Sequence, residues 1–144
     1  MMTQNIPASV LNNLSSAVYA RLHMEVVSKA LEQLGVEHQL FQLFMERFEG
    51  PFWNVASGYE LLDLVEGNPC VMLSTFECRA EFRFPTHYLV LTALSANQIL
   101  VLDSLLDYVY EVDFEGGDQL LAKGGLEPRW RSYSSFLTEY FGTS

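Results

Sequence analysis

Six carboxylates, Asp103, Asp107, Glu111, Asp113, Glu115 and Asp118, fall in a window from Phe84 to Ala122 that holds no lysine or arginine. Such a cluster supports three kinds of role. It is the solvated side of a half-buried sheet, a carboxylate surface that meets a basic protein, or the ligand set of a divalent-metal hydrolase. The hydrolase needs carboxylates at defined positions and a cation to contact substrate phosphate, and that cation is missing nearby. A like-charged surface speeds encounter with a basic partner and costs self-repulsion when free. Glu111 and Asp113 sit two residues apart, so a strand would place them on one face, and Asp103 at the end of the neighbouring strand would join them.

Other chemistry finds less support. His23, His38 and His87 are the only histidines, and none has a second ligand at metal-site spacing. No glycine-flanked serine follows a strand, and neither Gly116-Gly117 nor Gly124-Gly125 has the strand–loop–helix setting of a phosphate loop. Cys70 and Cys78 are too few for a disulfide framework; on one helix they would lie ~12 Å apart along the axis, beyond bridging distance. They are expected to be buried thiols. No metal and no cofactor is expected.

The elements that position the carboxylates come next. Tyr88–Thr92, Gln98–Asp103 and Tyr108–Phe114 are short runs rich in β-branched and aromatic residues, separated by a break at Ser95–Asn97 and a turn near Ser104–Asp107. In the third run Tyr108, Tyr110, Val112 and Phe114 alternate with Val109, Glu111 and Asp113. Short spacers between such runs predict an antiparallel meander with one face buried.

Helices should cover that meander. After a loose lead-in over 1–7, Ser9 is expected to cap one helix of about 25 residues, from Val10 to Leu34 with Gly35 as its stop, carried by Leu11, Leu14, Val18, Leu22, Val26 or Val27, Ala30, Leu31 and Leu34. A bend near Ser15-Ser16 would divide it in two. A second helix is predicted over 37–48, ended by Gly50-Pro51. Asn54–Gly58 is expected to be a loop, and Tyr59–Val65 fits either a strand or a helical turn. Asn68-Pro69 suggests the N-terminus of a third helix reaching Phe82, since Asn favours the cap and Pro the first helical position. Gln119–Ala122 fits a short strand or a helical turn. Ser132 is expected to cap a last, short helix to Phe141, stopped by Gly142.

At 144 residues with 49% hydrophobic and 13% aromatic content, the chain can fill one core, which predicts one domain over 1–144 and excludes disorder. A net charge of −10 argues against nucleic acid and anionic membrane as partners. No run of about 18 uncharged apolar residues occurs. MMTQNIPASVLNNL lacks the basic and apolar regions of a signal peptide. A cytoplasmic protein is expected.

The run FPTHYLVLTALSANQILVLDSLLDYVYEVDFEGGDQLL, followed by RWRSYSSFLTEYFG, resembles the SUKH superfamily, the Smi/Knr cell-wall-regulator type of domain found widely as bacterial immunity proteins. The resemblance is carried by the strand pair around Val101–Asp103, the VYEVDF strand at Val109–Phe114, and the terminal Trp130, Ser132-Tyr133, Phe136-Leu137 and Tyr140-Phe141. It covers residues 50–142, and Phe41–Gly50 matches the family's helix that ends in glycine before the first strand. The chain departs from better-known members where an LP-x-x-Y segment introduces that helix; here the place is VEHQLFQLF. The resemblance implies an α+β fold, an antiparallel sheet with helices packed against it, and a non-enzymatic role. That role is binding and neutralising a toxin, often a nuclease. Some members are instead regulatory scaffolds. It carries over no catalytic residue. Charge clustering alone nominates Asp103, Asp107, Glu111, Asp113, Glu115 and Asp118, with the aromatic Tyr108 as an anchor beside them, as the surface that meets a basic protein partner.

Overall fold

The computed structural model describes residues 5–54, 56–95 and 97–142. Ala96 of the expected break, Val55 of the expected loop, and residues 1–4 of the lead-in lie outside them. The fold is α+β. Three antiparallel strands, β3 (Tyr88–Val90), β4 (Gln98–Asp103) and β5 (Val109–Asp113), form the expected meander in the order β3-β4-β5. Leu102 faces Leu89 on one side and Val109 on the other, and Gln98 faces Asp113.

The sheet is buried on both faces, not one. Leu89, Leu100, Leu102 and Val109 point into the larger core, with the helices α1 (Ala8–Asn13), α2 (Glu25–Leu34), α3 (Gln39–Arg47) and α6 (Tyr133–Gly142). Tyr88, Val90, Ile99, Val101, Tyr110 and Val112 point the other way, into a second core with Cys78, Phe84 and Leu121. Those residues come from α4 (Val71–Glu81), the segment after it, and α5 (Gly117–Ala122), which resolves Gln119–Ala122 as helical. The helix α4 also closes the outer edge of β3, where the Thr75 hydroxyl accepts the Val90 N–H at 2.9 Å. Both cysteines are buried free thiols. Burial, followed by the charges of Glu77 and Asp118, pushes the Cys78 thiol up to about 12.

The long N-terminal helix is broken into α1, a 3₁₀ turn at Ala17–Tyr19, and α2. Ser9 is not its cap, which falls at Pro7. The apolar period misleads here, because Val18 and Leu22 are 82% and 84% exposed. The break has a polar cause. Ala20 pairs with Phe48 as an isolated antiparallel bridge, and the Arg21 and Glu49 N–H groups bond to Arg47 and Tyr19 carbonyls. This extended stretch sends the Arg21 guanidinium inside to the Asp63 carboxylate and the Met45 and Phe48 carbonyls. Asp63 in turn accepts from the N–H groups of Gly50, Val65 and Glu66. A buried charge is tolerated only when so fully paired.

Phe52–Asn54 (β1) and Tyr59–Leu61 (β2) make a separate hairpin, Phe52 opposite Leu61. Asn68 and Pro69 are not the start of α4: the cap position is Cys70, and the first N–H groups of the helix, Val71 and Met72, are satisfied by the Asp63 and Leu64 carbonyls. The last helix starts as expected, with the Ser132 hydroxyl accepting the Ser135 N–H at 3.0 Å, but it includes Gly142, the residue expected to stop it. Its Tyr133, Phe136 and Phe141 join Phe41, Phe44 and Phe52 in an aromatic cluster at the centre of the larger core.

Candidate functional site

The structure separates the nominated carboxylates into groups with different work. Asp103 is buried, at 1% exposure, and lies on the sheet face opposite Glu111 and Asp113. Its Oδ1 accepts the N–H groups of Leu105 and Leu106 at 2.9 and 3.0 Å, so it builds the β4–β5 turn and does not join a surface. Asp107 closes that turn in the left-handed region at φ 66°. Its carboxylate is taken by the His38 ring at 2.6 Å and the Tyr133 N–H at 3.1 Å. His38 caps α3 through Nδ1, which accepts the Phe41 N–H, so its proton sits on Nε2 toward Asp107. Tyr108, half-buried beside that turn, packs edge-on to Tyr110 under Arg131. Asp118 is half-buried in the first turn of α5. These residues stand at the opposite end of β5 or on its other side.

Glu111, Asp113 and Glu115 do come together. They line an open groove of about 880 Å³ between the tip of the hairpin (Ser57–Tyr59) and the far ends of β4 and β5 at Gln98 and Phe114. The alternation that puts Glu111 and Asp113 on the larger-core face carries them past the end of the apolar layer, into the groove where Tyr59 and Gln98 stand beside them.

The partners of Glu111 could not be read from spacing. Its carboxylate accepts the Tyr59 hydroxyl at 2.6 Å and the Arg129 guanidinium at 2.7 Å, from segments 52 and 18 residues away. Tyr59 is placed by the hairpin, and its carbonyl accepts the Tyr140 hydroxyl of α6 at 2.6 Å. Arg129 is placed by its N–H bond to the Val109 carbonyl, and its guanidinium lies 4.7 Å above the Trp130 ring. Burial, then the hydrogen bond to Glu111 and its charge, holds the Tyr59 phenol far above its ordinary range, so at neutral pH it is a fixed donor. Asp113 accepts the N–H groups of Gly117 and Glu115 at 3.0 and 2.9 Å, and these bonds, Gly117's foremost, lower its carboxyl below the ordinary value and keep it charged. Gly117 lets the turn close tightly there, since a Cβ would sit 3.1 Å from the Asp113 carboxyl carbon.

On the other side of Tyr59 lies a smaller notch of about 270 Å³, walled by Trp130, Phe136 and Tyr140 with Arg129 and Glu139 at its rim. The Trp130 indole N–H donates to Glu139 at 2.6 Å. Trp53 on the hairpin is 61% exposed and sits across from Glu60. Among the described residues no group of three or more His, Cys, Asp or Glu side chains is placed to hold a metal ion. None of their helices is long and apolar enough to cross a membrane. What this arrangement can do is present fixed negative charge beside aromatic surface. No protein-family model matches the chain, and no curated protein matches its sequence.

Proposed function

We propose that this protein is a non-enzymatic binding module of the SUKH type, an immunity protein that binds and neutralises a basic toxin. The observation that carries the proposal is the groove in which Glu111, Asp113 and Glu115 converge on a molecule of net charge −10. Carboxylates held by a rigid sheet stand where phosphates would lie in the cleft of a nuclease, and they favour fast, salt-sensitive association. Aromatic surface beside the charge, in the Trp130 notch, supplies the type of residue that anchors interfaces.

The test is a pull-down of the tagged protein from extract of its native cells, washed at low and then high salt, with eluted proteins identified by mass spectrometry. A single basic protein, lost at high salt, is expected. With that protein purified, replacing Glu111, Asp113 and Glu115 by Gln, Asn and Gln should lower the association rate about tenfold or more, within the range that electrostatic steering covers. Replacing Asp103, which is buried, should lower stability instead. Unchanged association of the triple variant would exclude the groove as the binding surface. An acidic or uncharged partner, bound equally at both salt concentrations, would remove the case for a basic toxin.

A further inference from the structure

The backbone of β5 has an open edge at the carboxylates. The Asp103 N–H bonds to the Tyr108 carbonyl at 2.8 Å, which fixes the alternation of the ladder: residues 108, 110 and 112 bond inward to β4, and 109, 111 and 113 turn their N–H and C=O groups outward. At Val109 the outward groups are taken, by the Trp130 carbonyl at 2.9 Å and the Arg129 and Trp130 N–H groups. The covering chain then leaves. Among the described residues no backbone pairs with Glu111 or Asp113 on that side.

We infer, on the basis of the protein-binding role proposed above, that the partner docks by adding an extended basic segment as a fourth strand along this edge. An exposed edge is a template for any extended chain, and charged side chains are the usual guard against unwanted pairing. Here the guard is also selective. A second copy of β5 would bring Glu111 and Asp113 against the same carboxylates and be repelled. A strand with Lys or Arg at alternate positions would set them across from Glu111 and Asp113 on the groove face. Its intervening residues would fall on the face of Tyr110, Val112 and the half-buried Phe114, and so should be apolar. The free protein already carries a stand-in for the incoming cation. Arg129, half-exposed, reaches back from the covering chain to bind Glu111 at 2.7 Å. An arriving basic residue takes its place on that carboxylate.

The probe is the peptide acetyl-Gly-Lys-Val-Lys-Val-Lys-Gly-amide, with Glu in place of Lys as its control. It is titrated into ¹⁵N-labelled full chain at low salt, followed by amide shifts and hydrogen exchange. Expected are slowed exchange of the Glu111 and Asp113 amides on saturation and no binding of the control. Arg129→Gln should bind several-fold tighter. Glu111→Gln should bind several-fold weaker, and Glu111→Pro a further tenfold weaker, because only proline also removes the outward N–H while leaving the inward ladder whole. If Glu111→Pro does not fold, the exchange of the wild-type amides decides alone. Absence of peptide binding, or binding that protects other amides, overturns strand addition. A partner recovered by pull-down that binds without protecting Glu111 and Asp113 overturns strand addition too, while leaving the protein-binding role standing.

Discussion

Asp113 shows how one side chain can serve both the fold and the groove. Its Oδ1 gathers the N–H groups of Glu115 and Gly117 and so starts α5, while its charge faces the groove. Because those bonds favour the ionised form, its folded pKa lies below the unfolded value of about 3.9. The linkage then has one sign. The stabilising contribution is fully present above the unfolded pKa and is lost as pH falls through the folded one. Asp113→Asn keeps an oxygen acceptor but not the charge. Urea midpoints of the two proteins should therefore differ by a constant amount from pH 7 to 5 and converge below pH of about 4. A gap that persists undiminished to pH 2 would show that the charge is not what stabilises the turn. Asp103, in contrast, cannot serve in both ways, since the same turn chemistry is carried out at 1% exposure. From sequence the two aspartates are alike; what separates them is the sheet face each falls on and the burial that follows from it.

At the scale of elements, what was legible were segments whose local signal agrees with their tertiary setting. The three strands of the meander, α3, and the Ser132-capped α6 follow their alternation, periodicity and cap. The failures occur where a long-range polar contact overrides a local pattern. Val18 and Leu22 fit a helical stripe, yet the backbone is pulled extended so that Arg21 can reach Asp63, 42 residues on. Asn68-Pro69 has cap chemistry, but the helix takes its cap from the Asp63 and Leu64 carbonyls. Tyr59 and Arg129 belong to the groove only because β2 and the chain before α6 converge on Glu111. Asp63 is thus the joint of the N-terminal half, and Arg21 and Asp63 are both essentially without solvent contact. Arg21→Met leaves the Asp63 charge buried against backbone donors alone and should cost about 3–5 kcal/mol, the range for breaking a buried pair. Arg21→Met with Asp63→Asn should recover part of that loss, because the uncompensated charge is gone. Urea denaturation of the three proteins measures both. A cost under about 1 kcal/mol for Arg21→Met would mean that the pair contributes as little as one at the surface.

Over the whole molecule, charge works in opposite directions on folding and on binding. With 18 acidic against 8 basic residues, the folded chain repels itself, and several of its few cations are already committed: Arg21 inside, Arg129 to Glu111, and Arg79 to the Thr86 carbonyl. Salt weakens repulsion between exposed charges spaced beyond a Debye length, ~10 Å at 0.1 M, and hardly touches the buried Arg21–Asp63 pair. Exposed bridges such as Glu127–Arg131 contribute little that salt could remove. Raising NaCl from 10 to 500 mM should therefore raise the melting temperature of the free protein by a few degrees, equivalent to roughly 1 kcal/mol for a domain of this size. Over the same range, affinity for a basic partner at the β5 edge should fall. Calorimetric melting and a binding titration, run on one preparation across the same salt series, should give slopes of opposite sign. A melting temperature that falls with salt would mean that local ion pairs outweigh the net repulsion.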